Sequence, residues 1–268
     1  MFGNRPAHAP TGDPATRIIV AVNVAIFALQ HWFPTLVGTF ALSPDGLRGG
    51  ALWQLVTYQF LHANGVHILM NMLGLWFIGR ELERVVGTRR FVALYLGGGV
   101  VAGLAQMLFS SDGEPLIGAS GSVFAVLLAF TTLFPSLPIT ALVVLVPVNM
   151  RARTLGILAV TASVVFWISG LEPGVGHLAH LGGSLAGWIF GRIYRRRFGE
   201  TEGFVERTAP SWWPGPGKFF RAPREVPYLR PLPSPDEVIA KVMREGIDSL
   251  TRDELRILED SRRPRRRS

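Results

Sequence analysis

Cysteine is absent from all 268 residues. That removes disulfides, a thiolate nucleophile and any cysteine-ligated zinc site, and redox chemistry gives no clue to compartment. Charge is sparse as well, with 17% Asp, Glu, Lys and Arg against 49% hydrophobic residues. This balance does not suit a soluble protein of this size. The first sixteen residues carry Pro, Gly and Asp and lack a compact signal-peptide pattern, so the first apolar run is expected to be a retained anchor. The charge is also uneven: residues 1–191 hold 9 Lys/Arg against 7 Asp/Glu, and residues 192–268 hold 18 against 12. The net +8 is mainly a property of the tail. Beside an apolar core, a basic tail suits anionic lipid headgroups better than nucleic acid.

Long hydrophobic runs are plentiful and lie almost entirely within residues 17–198. A spanning helix needs about 20 mostly apolar residues. Six candidates stand out, at 17–37, 67–79, 91–109, 118–134, 152–169 and 178–194. The second is short unless it begins inside the preceding loop. Between the fourth and fifth, "PITALVVLVPV" is too short to span and is bracketed by prolines, so it is expected at the interface or folded back on the bundle. The expected fold is an all-α membrane protein with six transmembrane helices.

The connecting segments orient such a bundle. Arg5, Arg17, Arg80, Arg84, Arg89, Arg90, Arg151, Arg153, Arg192, Arg195, Arg196 and Arg197 flank one side, and Arg48 alone flanks the other. That asymmetry predicts cytoplasmic termini. It also predicts that "PLIGASG" opens the fourth span at the outer face.

A polar side chain inside a membrane helix is costly and marks a site by default. Span two carries His67 and Asn71 on one face. Span four begins at Ser120. Span six opens with "GHLAHLGGSLAG", which puts His180, Gly183, Ser184 and Gly187 on one face. Packing alone gives each a role: Ser120 as a cap, Gly183 and Gly187 as a small-residue stripe, His67 as an interfacial group. The depths favour chemistry. Span four descends from the outside and span six rises from it, so Ser120 and His180 fall within about one turn of each other at ~1.5 Å per residue. The glycines beside His180 allow a close approach, so the imidazole can act as base on the hydroxyl. His67, Asn71 and the free N–H groups at the start of span four supply donors at the same level. No acidic residue lies at that depth, so a Ser-His dyad is the natural form.

Ser122 is about 200° around the helix from Ser120 and cannot share its face. Ser184 reads as a packing residue one turn below His180. His177, one turn before His180, reads as a supporting or surface group. A metal pair with His180 lacks a carboxylate, and H-E-x-x-H is absent, so no metal or other cofactor is expected.

Taken together, these motifs resemble the rhomboid family of intramembrane serine proteases, in its bacterial-type form with a six-span core, over residues 17–197. The segment "TYQFLHANGVHILMNMLGLWFIGRELERVVG" carries the H-x-x-x-N pair His67 and Asn71, with Glu83 and Gly87 trailing. The G-x-S-G motif is Gly118-Ala119-Ser120-Gly121. Ala179-His180, Gly183 and Gly187 match A-H-x-x-G-x-x-x-G. The resemblance implies Ser120 as nucleophile and His180 as general base, with the oxyanion held by His67, Asn71 and the Ser120 backbone N–H. Relatives often carry tyrosine four residues after the serine; Phe124 here keeps the stacking face and loses the hydroxyl. The loop 36–66, with Trp53 and Tyr58, looks like the family's half-immersed first loop. The implied substrates are single-span membrane proteins cut near the outer face of a bacterial inner membrane. Two other readings stay open: a silent relative that binds membrane helices, and a solute transporter.

The expected domains are a cytoplasmic segment at 1–16, the six-helix membrane domain at 17–197, a Pro/Gly-rich linker at 198–234, and a cytoplasmic helical pair with a basic tail at 235–268. Gly246 suits a helix C-cap, and Thr251 with Glu254 makes a capping box for the second helix. "RRPRRR" reads as lipid-surface contact and not as nucleic-acid binding.

Overall fold

The computed structural model describes residues 12–110, 113–143, 146–171, 174–198, 235–246 and 249–250. The chain forms two compact units, Met1–Pro216 and Gly217–Ser268. In the first, helix α1 spans Pro14–Trp32, and short helices α2 (Thr35–Phe40), α3 (Pro44–Arg48) and α4 (Gln54–Thr57) follow. A 3₁₀ turn at Tyr58–Phe60 leads to α5 (Gly65–Gly74), which runs through a π-helical stretch, Leu75–Gly79, into α6 (Arg80–Val86). Then come α7 (Thr88–Phe109), α8 (Ser120–Leu133), strands β1 (Pro138–Val143) and β2 (Val146–Arg151), α9 (Ala152–Ser169) and α10 (His177–Phe198). The second unit contributes α11, Pro235–Glu245.

Helices occur at all six apolar runs. Among the described residues, α1, α7 and α9 are long and apolar enough to cross a membrane, and the pair Gln54–Phe60 and Gly65–Val86, bent by 99°, makes a fourth if it is taken as one broken span. Helix α8 is apolar but shorter. Helix α10 carries Arg195, Arg196 and Arg197 in its last turn. The second span starts inside the preceding loop, where Asn64 accepts a hydrogen bond from the His67 N–H and caps α5.

The expectation of a purely α-helical chain is corrected at 138–151. Here β1 and β2 pair antiparallel from Pro138↔Arg151 to Val143↔Val146, and Thr140 Oγ1 bonds Asn149 Oδ1 at 2.7 Å. The segment is too short for a helix that spans, and its Val, Ile and Thr residues suit a pleated ribbon. The loop 36–66 folds into short helices and a 3₁₀ turn. Tyr58 is fully buried and donates to the Gly99 carbonyl at 2.7 Å, whereas Trp53 stays exposed. In the tail, α11 ends at Gly246, whose φ of +85° fits the expected cap. The N-terminal segment up to residue 11, the linker after Phe198 and the Thr251–Glu254 capping box lie outside the described residues.

Glycine sets the centre of the bundle, where α10 lies against α7 and α8. A methyl group on Gly183 would sit 2.1 Å from the Gly121 carbonyl oxygen, and one on Gly187 would sit 2.1 Å from that of Ala125. On the other side, a methyl on Gly182 would sit 2.6 Å from Ala105 Cβ. Backbones this close leave no room for any side chain, which is how small residues hold membrane helices together.

The first turn of α1 is satisfied from a distance. Glu83, fully buried on α6, accepts from the N–H groups of Ala15 and Thr16 and from the hydroxyls of Thr16 and Thr88, at 2.8–3.0 Å. It does the work of an N-cap from another helix.

Candidate active site

Ser120 is the first residue of α8, so its N–H and those of the next residues have no partner within the helix. The chain enters through Gly118, whose φ of +124° lies in the region that favours glycine. A Cβ there would be 2.6 Å from His67 Cε1 and 2.7 Å from Nε2, so the imidazole of α5 rests directly on the glycine. The Gly118 N–H donates to the Tyr58 carbonyl at 2.9 Å, fixing the approach to the serine.

His180 lies one turn into α10, and the Gly183 and Gly187 contacts press that helix onto α8. Gln106 of α7 accepts from the Ala179 N–H at 3.2 Å and ties down the same turn. The outcome is a distance of 2.9 Å between His180 Nε2 and Ser120 Oγ. The imidazole stacks on Phe124 with ring centroids 4.2 Å apart and planes 5° from parallel. When Nε2 accepts the serine proton, the ring proton resides on Nδ1. No carboxylate among the described residues bonds either His180 or His67.

His67 is half-buried and Asn71 is buried at 6% exposure. The Asn71 Nδ2 has no hydrogen-bond partner. A buried donor left unpaired costs about 1–3 kcal/mol. His67, Ser120 and His180 therefore come together with Gly118, Gly121 and Phe124, and Asn71 lies one turn after His67 on α5. Gly183 and Gly187 act from the α8–α10 contact. Ser122 points elsewhere, donating to Gln59 Oε1 at 2.9 Å in a buried contact. Ser184 is buried, as a packing residue would be.

His177 is not a surface group. It is buried, with Phe166 on one side and His180 on the other, both with ring centroids at 5.8 Å. Among the described residues no three His, Cys, Asp or Glu side chains are grouped to hold a metal ion.

Sequence reasoning passed over four residues that support the site. Gln59 holds Ser122. Gln106 holds the start of α10. Gln30 of α1 clasps both backbone groups of His62, at 3.0 and 3.1 Å. His62 is buried at 2% exposure, its ring edge-on to His67 at 5.1 Å. Gln30 and Gln106 lie inside apolar runs, so the rule that flagged Asn71 would have found them. The other two have no local signal.

This is a helical membrane bundle whose half-buried serine and histidine, from two different helices, share a hydrogen bond. A model of the rhomboid domain matches residues 49–197. The chain is 34% identical over 175 residues to presenilin-associated rhomboid-like protein A, mitochondrial, of Danio rerio, covering 61% of this chain and 44% of that protein. It is 30% identical over 190 residues to the rhomboid protease GluP of Bacillus subtilis, covering 66% of this chain and 34% of the relative. To rhomboid protein 1, mitochondrial, of Saccharomyces cerevisiae it is 30% identical over 190 residues, covering 65% and 51% respectively. The chain thus spans about a third to a half of these curated relatives. It belongs to the rhomboid family and is a multi-pass membrane protein.

Proposed function

We propose that the protein is an intramembrane serine endopeptidase acting on transmembrane or juxtamembrane segments through a Ser120–His180 dyad. The observation that carries this reading is the 2.9 Å contact between His180 Nε2 and Ser120 Oγ. His180 takes the hydroxyl proton as Ser120 Oγ attacks the scissile carbonyl carbon, then gives it to the leaving amine. The resulting ester is hydrolysed when water attacks the same carbon and His180 returns a proton to Ser120. Negative charge on the carbonyl oxygen in both steps needs donors already in place, and His67, the unpaired Asn71 amide and the Ser120 N–H are the groups for it. With no carboxylate on His180, the stacking on Phe124 orients the ring. Because the base must be neutral, the rate falls on acidification.

For six spans within 17–197, the arginine asymmetry supports cytoplasmic termini and a site near the outer face. The bacterial inner membrane is the setting that suits it. Residues 198–234 serve as linker and 235–268 as a cytoplasmic appendage. Substrate segments that unwind easily are favoured, since a hydrogen-bonded helix hides its carbonyls.

A serine-directed covalent probe, read beside cleavage of a model single-span substrate, tests this. The native protein labels at Ser120 and cleaves. Ser120→Ala neither labels nor cleaves, and His180→Ala loses both by several orders of magnitude while melting like the native protein. Turnover retained in either variant defeats the assignment.

A further inference from the structure

Away from the dyad, helices α8, α9 and α10 leave an open cleft. It encloses about 330 Å³, and its walls include Thr131, Thr132, Arg153, Gly156, Ile157 and Trp188. That volume lies at the low end of the range of ~300–1,000 Å³ typical of ligand sites. The sequence makes it in two ways. Gly156 lets α9 touch α8, since a methyl there would sit 2.6 Å from Thr131 Oγ1. Around that notch the larger Ile157 and Trp188 stand out at 63% and 49% exposure. Along the whole of α9 only Ala152, Gly156 and Ser163 are buried, so this helix leaves much of its surface to be covered by something else.

The charge around the cleft is of one sign and lies at one end. Arg153 is part of the wall, and its guanidinium has no partner among the described residues. Arg195 of α10 donates to the carbonyl of Thr132, another wall residue, at 3.2 Å. Arg192 lies over the ring of Trp188 at 6.0 Å. The sequence from 115 to 171 contains no Asp or Glu. Moving up α9 from Arg153, Ile157 and Val160 give the wall apolar surface from one turn or ~6 Å further along, with Thr161 beyond them. A molecule that joins a negative head to a hydrocarbon chain suits this lining.

We propose that this cleft binds one anionic phospholipid, with its phosphate in the field of Arg153, Arg192 and Arg195 and an acyl chain along Ile157 and Trp188. Basic pockets between membrane helices select lipids that carry net negative charge, whereas a zwitterionic headgroup gains little from them. The bound lipid covers the face that α9 leaves open. The site is separate from Ser120 and His180 and does not depend on the peptidase reading.

Native mass spectrometry of the full chain in neutral detergent tests this, with phosphatidylglycerol compared against phosphatidylcholine of the same acyl chains. The native protein retains one phosphatidylglycerol and releases phosphatidylcholine. Arg153→Gln weakens retention about fivefold, the share of one guanidinium near a headgroup. Arg89→Gln, an equal charge change on α7, which does not line the cleft, leaves retention unchanged. Glycerol phosphate, a headgroup without chains, does not displace the lipid. Equal retention of the two lipids by the native protein overturns the proposal. So does an equal loss in both variants, or displacement by glycerol phosphate.

Discussion

The two ends of the bundle treat buried polar groups in opposite ways. Around Ser120 and His180, the Asn71 amide, both nitrogens of His62 and Nε2 of His177 are sealed from solvent and have no partner. At the arginine-rich end the buried carboxylates among the described residues are paired, while Asn23 Oδ1 and Tyr95 Oη further along α1 and α7 are not. Glu83 accepts four hydrogen bonds, and Asp13 pairs with Arg17 at 3.0 Å, with Arg80, and with Arg84 at 3.8 Å. Unpaired donors at one end cost stability and fit a site that must meet charge only when a reaction creates it. Paired groups at the other end fasten α1 to α6 and contribute to the fold alone.

Substitutions at the two ends should therefore separate activity from stability. The largest expected effect is at Asn71. Removing one oxyanion donor typically lowers kcat by about 10²–10³-fold. Asn71→Ala should do so with KM little changed and with a melting temperature equal to the native value or above it, because an unpaired buried donor is gone. A melting temperature that drops with activity would make Asn71 a structural residue. Next is Gly183→Ala, whose methyl meets the Gly121 backbone at 2.1 Å. Since α10 carries the base and α8 the nucleophile, a displacement near 1 Å is enough for a loss of about 10²-fold. At the opposite end, Glu83→Gln keeps the shape but discards the charge. It should cost about 1–3 kcal/mol of stability, as hydrogen bonds to a charged acceptor do. Its kcat, measured on folded protein below the melting range, should stay within a few-fold of native.

The same contrast explains what was legible in the sequence. Residues that are costly in their local surroundings announced themselves: Ser120, His67, Asn71 and His180 are polar positions on apolar helices. Counting residues from the helix ends put two of them at one depth. Gly183 and Gly187 signalled close approach. Groups whose meaning depends on a distant partner gave no such sign. Glu83 looks like an ordinary acidic residue beside arginines until α1, 67–68 residues earlier in sequence, folds onto it. Ser122 and Gln59 are 63 residues apart. The hairpin at 138–151 was missed because its length, and not its β-branched composition, decided the reading. The π-helical stretch at Leu75–Gly79 was not read from the local sequence.

The smallest effect, and the finest test of the contrast, is the pH dependence of Asp13. Burial alone would raise its carboxyl pKa, but the Arg80 and Arg17 hydrogen bonds outweigh that and hold it below its ordinary value. The charged form is thus favoured in the folded state more than in the unfolded one. Its stabilisation is complete above the unfolded carboxylate range, near pH ~4, and is lost as pH falls through the depressed folded value. Asp13→Asn removes the titrating group. Melting temperatures of the two proteins should differ by a constant amount from pH 7 down to about pH 5, and the gap should narrow as pH falls below the unfolded carboxylate range. A gap that stays unchanged through that fall would mean Asp13 acts through shape alone. The dyad's own decline on acidification should appear in both proteins equally, because nothing at the arginine-rich end touches Ser120 or His180.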